Sequence, residues 1–202
     1  AVLSPEENAG LSSFNSLNGG DCFHCHGGIL GTDLSFKNNG LDEIPVDSGR
    51  GLVTGRTEDN FKFKVPSIRN VEYSSPYMHD GRFNTLDEVI NFYSIGVHPN
   101  SPNIDPLIEF SSQGGVQLNP QERQELKAFL LTLSDPEFIN NNIPIAINSL
   151  DASLNIKHQS GVNKSEGVKD LYSSKITVEV AEFYQSPQEI IRWSDFVICR
   201  AG

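Results

Sequence analysis

Cys22-Phe23-His24-Cys25-His26 sets two thiols three residues apart, with an imidazole directly after the second. That C-x-x-C-H order is the attachment site of a c-type haem. Each thiol can form a thioether to one of the two porphyrin vinyl groups, and His26 then stands where it can meet the iron as proximal ligand. The chain has three cysteines in all, too few for a disulfide-built scaffold, and the third, Cys199, lies far along the sequence. A zinc site made from the same residues would need four ligands. Cys22, Cys25 and one histidine supply three, and Cys199 or His158 would have to complete it from the C-terminal part of the chain. A thioredoxin-type C-x-x-C needs a βαβ setting that the flanking sequence lacks. His24, inside the motif, reads as a surface residue.

What a haem iron does depends on its other axial position. A filled position suits electron transfer, and an open one can bind peroxide. Met78 is the first nominee, because it is the only methionine in the chain and His/Met ligation is common in cytochromes c.

Three helices must position these groups. Ser4-Pro5-Glu6-Glu7 is a capping box with proline at the first helical position, opening a helix to about Asn15. Thr85-Leu86-Asp87-Glu88 is a second box, followed by Leu86, Val89, Ile90 and Tyr93 on one apolar face. Asn119-Pro120-Gln121-Glu122 opens a third helix, with Leu126, Phe129, Leu130 and Leu133 on its buried side and Asp135-Pro136 as its stop. Between them run long connections rich in Gly, Asn and Pro, from Gly27 to about Asn84 and from Gly96 to Leu118. Loops of that length need an organiser other than a hydrophobic core, and a large prosthetic group would serve.

The chain has 202 residues, which allows one full domain and a small second one. Its formal charge is -11, against a nucleic-acid binder. No run of 18 apolar residues exists to span a membrane. Residues 1–150 hold 19 Asp/Glu and 9 Lys/Arg, whereas residues 151–202 hold 7 and 6. Fourteen of the 17 glycines also lie in the first part. The run Asn140-Asn141-Asn142-Ile143-Pro144 reads as a boundary. We therefore expect a haem domain over 1–143 and a C-terminal extension over 144–202. In the extension, Ile176, Val178 and Val180 alternate like a strand, and Ser186-Pro187-Gln188-Glu189 caps a helix carrying Ile190, Ile191, Trp193 and Phe196. No chemistry is visible there. The chain starts at Ala1, without a methionine or a signal-peptide core, as expected of a processed protein or a fragment.

Two resemblances extend this reading. Gly10 and Phe14 on the first helix, with Leu126 and Phe129 on the last, resemble the crossing helices of class I cytochromes c, where the glycine lets two backbones approach closely. The run Phe63-Lys64-Val65-Pro66-Ser67-Ile68-Arg69-Asn70-Val71, followed by Ser75-Pro76-Tyr77-Met78-His79-Asp80-Gly81-Arg82-Phe83 and Thr85-Leu86-Asp87-Glu88-Val89-Ile90-Asn91-Phe92-Tyr93, resembles the C-terminal haem domain of bacterial dihaem cytochrome c peroxidases and the related MauG proteins. The resemblance covers about Ser4 to Phe138. The family carries two C-x-x-C-H sites and this chain has one.

The resemblance implies a mainly α, cytochrome c-like haem domain with long loops, here with a small α+β extension. It implies a distal ligand fourteen residues past the His-Asp-Gly histidine, methionine in the peroxidases and tyrosine in MauG-like proteins; that position is Tyr93. The implied iron ligands are thus His26 and Tyr93, with Met78 as the alternative. A phenolate would favour the ferric state relative to a thioether. Arg69 would meet a haem propionate and His79 would lie near the haem. A calcium between two domains would take the backbone carbonyls of Ser74 and Pro76, with a further ligand from the other half. The expected function is electron transfer through one covalent haem c, outside the cytoplasm in the periplasm. The expected partner is a redox protein with a basic docking patch, including a second haem-bearing domain or chain. Peroxide reduction, in its own right or with a second haem chain, is the second expectation, and a zinc-stapled interaction module the third. No catalytic residue is assigned.

Overall fold

Ser4 accepts a hydrogen bond from the Glu7 amide while the Glu7 carboxylate accepts from the Ser4 amide, so the first capping box starts helix α1 (Pro5–Asn15) as its sequence predicts. The computed structural model describes residues 2–109, 112–135, 138–150, 152–160, 165, 167–185 and 187–195. The next elements are short: α2 (Phe23–His26), β1 (Phe36–Lys37), α3 (Arg50–Thr54) and β2 (Phe63–Lys64). Thr85 and Glu88 form the second box at the head of α4 (Leu86–Asn91), which widens at once into a π turn over Phe92–Gly96. After α5 (Pro106–Glu109), Asn119 and Glu122 box the start of α6 (Pro120–Leu131). The second part of the chain holds α7 (Ile143–Asn148), β3 (Asn155–Gln159), β4 (Thr177–Ala181) and α8 (Pro187–Trp193).

Two compact units result, one through Leu133 and the other from Ser134 onward. The polar run at 140–144 puts the division ten residues later, at 143. Residues 134–143, which belong to the second unit, include a π turn over Phe138–Asn142. In the first unit the core forms where α1 crosses α6. A Cβ on Gly10 would lie 1.9 Å from the Glu125 carbonyl oxygen, so only glycine permits that approach. Phe14 and Phe129 meet edge to face, with ring centroids 5.2 Å apart. Ile90, Leu118, Leu126 and Leu130 complete this cluster, and Cys22 and Phe23 pack on its edge. A second cluster is made by Leu41, Phe92 and Val97, with Met78, Phe83, Tyr93 and Ile104 against it.

The long connections contain short strands and turns. β1 and β2 pair antiparallel, with Phe36 opposite Lys64. Helix α6 ends at Leu131, before Asp135; Pro136 lies outside the described residues. In the second unit β4 starts at Thr177, so Ile176 sits buried just before the strand. It pairs in parallel with β3, a partner that its own alternation did not announce. Val168, Tyr172 and Ile176 form the core of this unit. Ser186, Phe196, Cys199 and the Ile191 side chain lie outside the described residues. No described helix is long and apolar enough to cross a membrane.

Candidate haem site

Cys22 stands at the N-terminal edge of α2, and Cys25 and His26 lie on the helix itself. The Cys22 amide donates to the Phe14 carbonyl at 3.0 Å, which ties the motif to α1. His26 Nδ1 lies 3.1 Å from the Pro66 carbonyl oxygen and 3.3 Å from that of Gly31. Both neighbours can only accept, so Nδ1 carries the proton and Nε2 keeps its lone pair. A metal-binding histidine is oriented in this way, with its second nitrogen bound to a backbone carbonyl. Burial holds the His26 imidazolium below its ordinary range, outweighing the two carbonyls, and so favours the neutral form that can ligate.

The carbonyls that orient His26 come from two segments stitched together. Thr32 Oγ1 donates to the Val65 carbonyl at 2.7 Å and Ser67 Oγ to that of Leu30 at 2.6 Å. Gly31 has φ 62°, and a Cβ there would lie 2.9 Å from Ile68 Cγ1. The Val-Pro-Ser-Ile stretch therefore acts as a strap behind His26. Nothing local in the sequence marks Pro66 or Gly31 for this role.

Burial pushes the Cys22 thiol up to about 12 and the Cys25 thiol up to about 11. Both stay protonated at neutral pH, the state in which a thiol adds across a vinyl group. Near Cys25, Lys37 Nζ lies 3.0 Å from Asp105 and 3.8 Å from Asp33. Burial disfavours the Lys37 charge, but Asp105, Cys25 and Asp33 outweigh it and hold the ammonium above its ordinary range. His24 is half-buried rather than a surface residue: its Nδ1 lies 2.7 Å from Asp21 and its ring rests on Phe23.

Tyr93 lies in the π turn, not on a continuing α face. The wide turn is held by the loop beside it, where the Val116 amide donates to the Tyr93 carbonyl at 3.0 Å and Gln117 to that of Ser94 at 2.8 Å. Turns of this kind are frequent at functional sites. Burial pushes the Tyr93 hydroxyl up to about 12, against an Asn39 hydrogen bond that favours ionisation; Cys25 and Cys22 push it further up. Met78, at φ 71°, packs on the same cluster. The structure thus brings Tyr93 and Met78 together, and Asn39 Nδ2 reaches both. Sequence reasoning missed Asn39, whose Asn-Asn-Gly run signals a turn but not where the side chain aims.

The remaining candidates lie further out. Arg69 is exposed, with no ion pair among the described residues. His79 is exposed and stacks on Phe63 at 3.7 Å. Ser74 precedes a cis Ser75–Pro76 bond, of which Pro76 is the second residue. Among the described residues no group of three His, Cys, Asp or Glu side chains could hold a metal ion. His158, in the second unit, has Nδ1 2.8 Å from the Tyr172 hydroxyl.

These residues fit a covalent haem. Two thiols and an oriented imidazole share one turn, and the Tyr93 hydroxyl proton has no acceptor among the described residues. Such a group would be held by Cys22, Cys25 and His26, and when bound it would supply a one-electron ferric/ferrous couple.

Comparison with known proteins supports a haem. The chain is 32% identical over 174 residues to the cytochrome-c peroxidase IdrP1 of Denitromonas iodatirespirans, covering 71% of this chain and 44% of that protein. It is 31% identical over 135 residues to the methylamine utilization protein MauG of Methylorubrum extorquens, covering 66% and 36%. A crystal structure of a MauG-like protein associated with microbial copper homeostasis matches with a TM-score of 0.60 at 34% identity, covering 68% of this chain and 49% of that one. The fold is also that of the dihaem peroxidase BthA from Burkholderia thailandensis, with a TM-score of 0.54 at 20% identity and coverage of 70% and 45%. Homologues are thus dihaem cytochrome c peroxidases and MauG proteins, and a mainly helical, cytochrome-like fold is consistent with them. The chain spans less than half the length of these relatives. A family model described as the glycosyltransferase family 28 C-terminal domain matches residues 118–202. That stretch begins inside the first unit and runs through the second, so it coincides with neither.

Proposed function

We propose that the first unit is a c-type haem electron-transfer domain, equivalent to the C-terminal haem domain of a dihaem cytochrome c peroxidase or MauG-like protein. The observation that carries this reading is His26. Its Nδ1 is already committed to the Pro66 and Gly31 carbonyls, one residue after a paired-cysteine motif. In this reading Cys22 and Cys25 hold one haem covalently, and His26 is the proximal ligand. Tyr93 is the sixth ligand, with Met78 the alternative. Arg69 offers its unpaired fork to a propionate, and exposed His79 lies at the haem's edge. The Ser74 and Pro76 carbonyls would contribute to a calcium site only together with oxygen ligands from a second domain. Covalent haem attachment and the relatives point to the periplasm. The partner is a redox protein, or a second haem-bearing domain or chain, that presents a basic surface to the acidic first unit.

Denaturing chromatography of protein made with a c-haem maturation system tests this reading. We expect the colour to travel with the chain and the native protein to take up one electron per chain. A colourless chain would overturn the assignment. A second reading, peroxide reduction by this chain, is favoured by the peroxidases among its relatives. Converting hydrogen peroxide to two waters takes two electrons and two protons, so a single ferric/ferrous couple must be supplemented by a second electron, from a donor or from a partner haem. Peroxide turnover by the isolated chain with a reduced donor would favour this second reading; turnover only with a second haem chain would favour the first.

A further inference from the structure

Tyr93 and Met78 are gathered by a side chain that the ligand argument does not use. Asn39 Nδ2 lies 3.1 Å from Tyr93 Oη and 3.6 Å from Met78 Sδ. A thioether sulfur can only accept, so the carboxamide nitrogen, not its oxygen, faces this point. One N–H then donates to the phenol oxygen and the other to the sulfur, which uses both hydrogens. Tyr93 is presented as an acceptor, and its own proton finds no acceptor among the described residues.

Asn39 is fixed from both sides. The buried Asn38 side chain donates to Ser101 Oγ at 3.0 Å and to the Pro102 carbonyl at 2.8 Å, and accepts from the Gly40 amide at 2.9 Å. Gly40 has φ 70°, and a Cβ there would lie 2.8 Å from Ile104 Cδ1 and 2.9 Å from Val97 Cγ1. The backbone under Asn39 thus has no room to swing, and its carboxamide is pre-organised.

We propose that Asn39 is the positioning residue that selects the sixth haem ligand, presenting the Tyr93 oxygen and keeping the Met78 sulfur engaged. This rests on the haem reading with Tyr93 as ligand. The consequence is electronic as well as steric. A hydrogen bond to the ligand oxygen strengthens as that oxygen becomes more negative. It is therefore stronger over ferrous than over ferric iron, and Asn39 favours reduction relative to the same ligand without it. Its loss also frees the sulfur to compete.

The test uses haem-loaded protein with Asn39→Leu, which keeps the bulk without the donors, and Asn39→Ala as a second variant, beside Tyr93→Phe. The readouts are midpoint potential and the ferric near-infrared spectrum. In the Met78→Ala background, where no sulfur competes, we expect each Asn39 variant to shift the one-electron equilibrium about tenfold toward the ferric state, about 59 mV. We also expect a thioether-ligated fraction that disappears when Met78→Ala is added. Potentials and spectra equal to wild type in both variants, while Tyr93→Phe changes its spectrum, would overturn the role of Asn39 and leave the ligand reading standing. So would a shift toward the ferrous state in that Met78→Ala background. A wild-type spectrum in Tyr93→Phe would overturn the ligand reading, and this proposal with it.

Discussion

Phe14 and Phe129 meet ring to edge where two capped helices cross, whereas Tyr93 and Met78 meet Asn39 where a π turn, a left-handed residue and an Asn-Asn-Gly turn converge. Both regions belong to the first unit, and they are built by different means. The crossing rests on apolar burial and on a glycine that admits a backbone, neither of which needs a cofactor. The distal face rests on directed polar contacts and unusual backbone conformations, which cost stability and are retained where a side chain must be aimed. Changes at the crossing should therefore unfold the protein with little effect on haem chemistry. Changes at the distal face should do the reverse.

Phe129→Ala should show the largest effect, a loss of about 4 kcal/mol in denaturant unfolding, because a buried aromatic leaves a cavity and loses its partner ring. Gly10→Ala comes next. The added methyl would lie 1.9 Å from a carbonyl oxygen, and only part of that overpacking is offset by better helix propensity, for a net cost of about 2 kcal/mol. Arg82→Ala should cost about 1 kcal/mol, since Arg82 reaches Asp42 through both terminal nitrogens and also pairs with Asp80, but all three side chains are about one-third exposed. For Asp80, burial raises the carboxyl, but the Arg82 hydrogen bonds and charge outweigh it and hold it below its ordinary range. A carboxylate depressed in the folded state stabilises above its unfolded value, about 3.9, and loses that contribution as the pH falls through the folded one. Unfolding curves of wild type and Arg82→Ala should therefore differ at pH 6 and converge in acid. A difference that persists in acid would place the effect of Arg82 outside its ion pairs. Smallest is Tyr93→Phe, which should move stability by about 1 kcal/mol or less in haem-free protein. If that substitution unfolds the protein, the two regions are not separable.

The same division governs what could be read in advance. The capping boxes at Ser4, Thr85 and Asn119 and the C-x-x-C-H run are local signals, with partners within four residues, and the structure forms each box where its sequence puts it. Gly10 was legible through its spacing to Phe14 and its resemblance to a known crossing. The distal face depends on contacts between distant segments. Asn39 and Tyr93 are 54 residues apart, and nothing local to either announces the other. The apolar spacing of Leu86, Val89, Ile90 and Tyr93 reads as one α face, but the chain widens after Asn91, because the carbonyls of Tyr93 and Ser94 are taken by the 116–117 loop. Likewise β3 carries Lys157, His158 and Gln159, so period-two patterning gave no sign of the strand that β4 pairs with.

In the proposed site Cys22 and Cys25 hold the haem covalently, His26 ligates its iron and the Tyr93 oxygen takes the sixth position. The ferric absorption spectrum of the purified protein, compared with Tyr93→Phe and Met78→Ala, tests it most directly. The expected result is a low-spin haem spectrum that changes in Tyr93→Phe and persists in Met78→Ala. A colourless protein, or a spectrum indifferent to Tyr93→Phe, would contradict it.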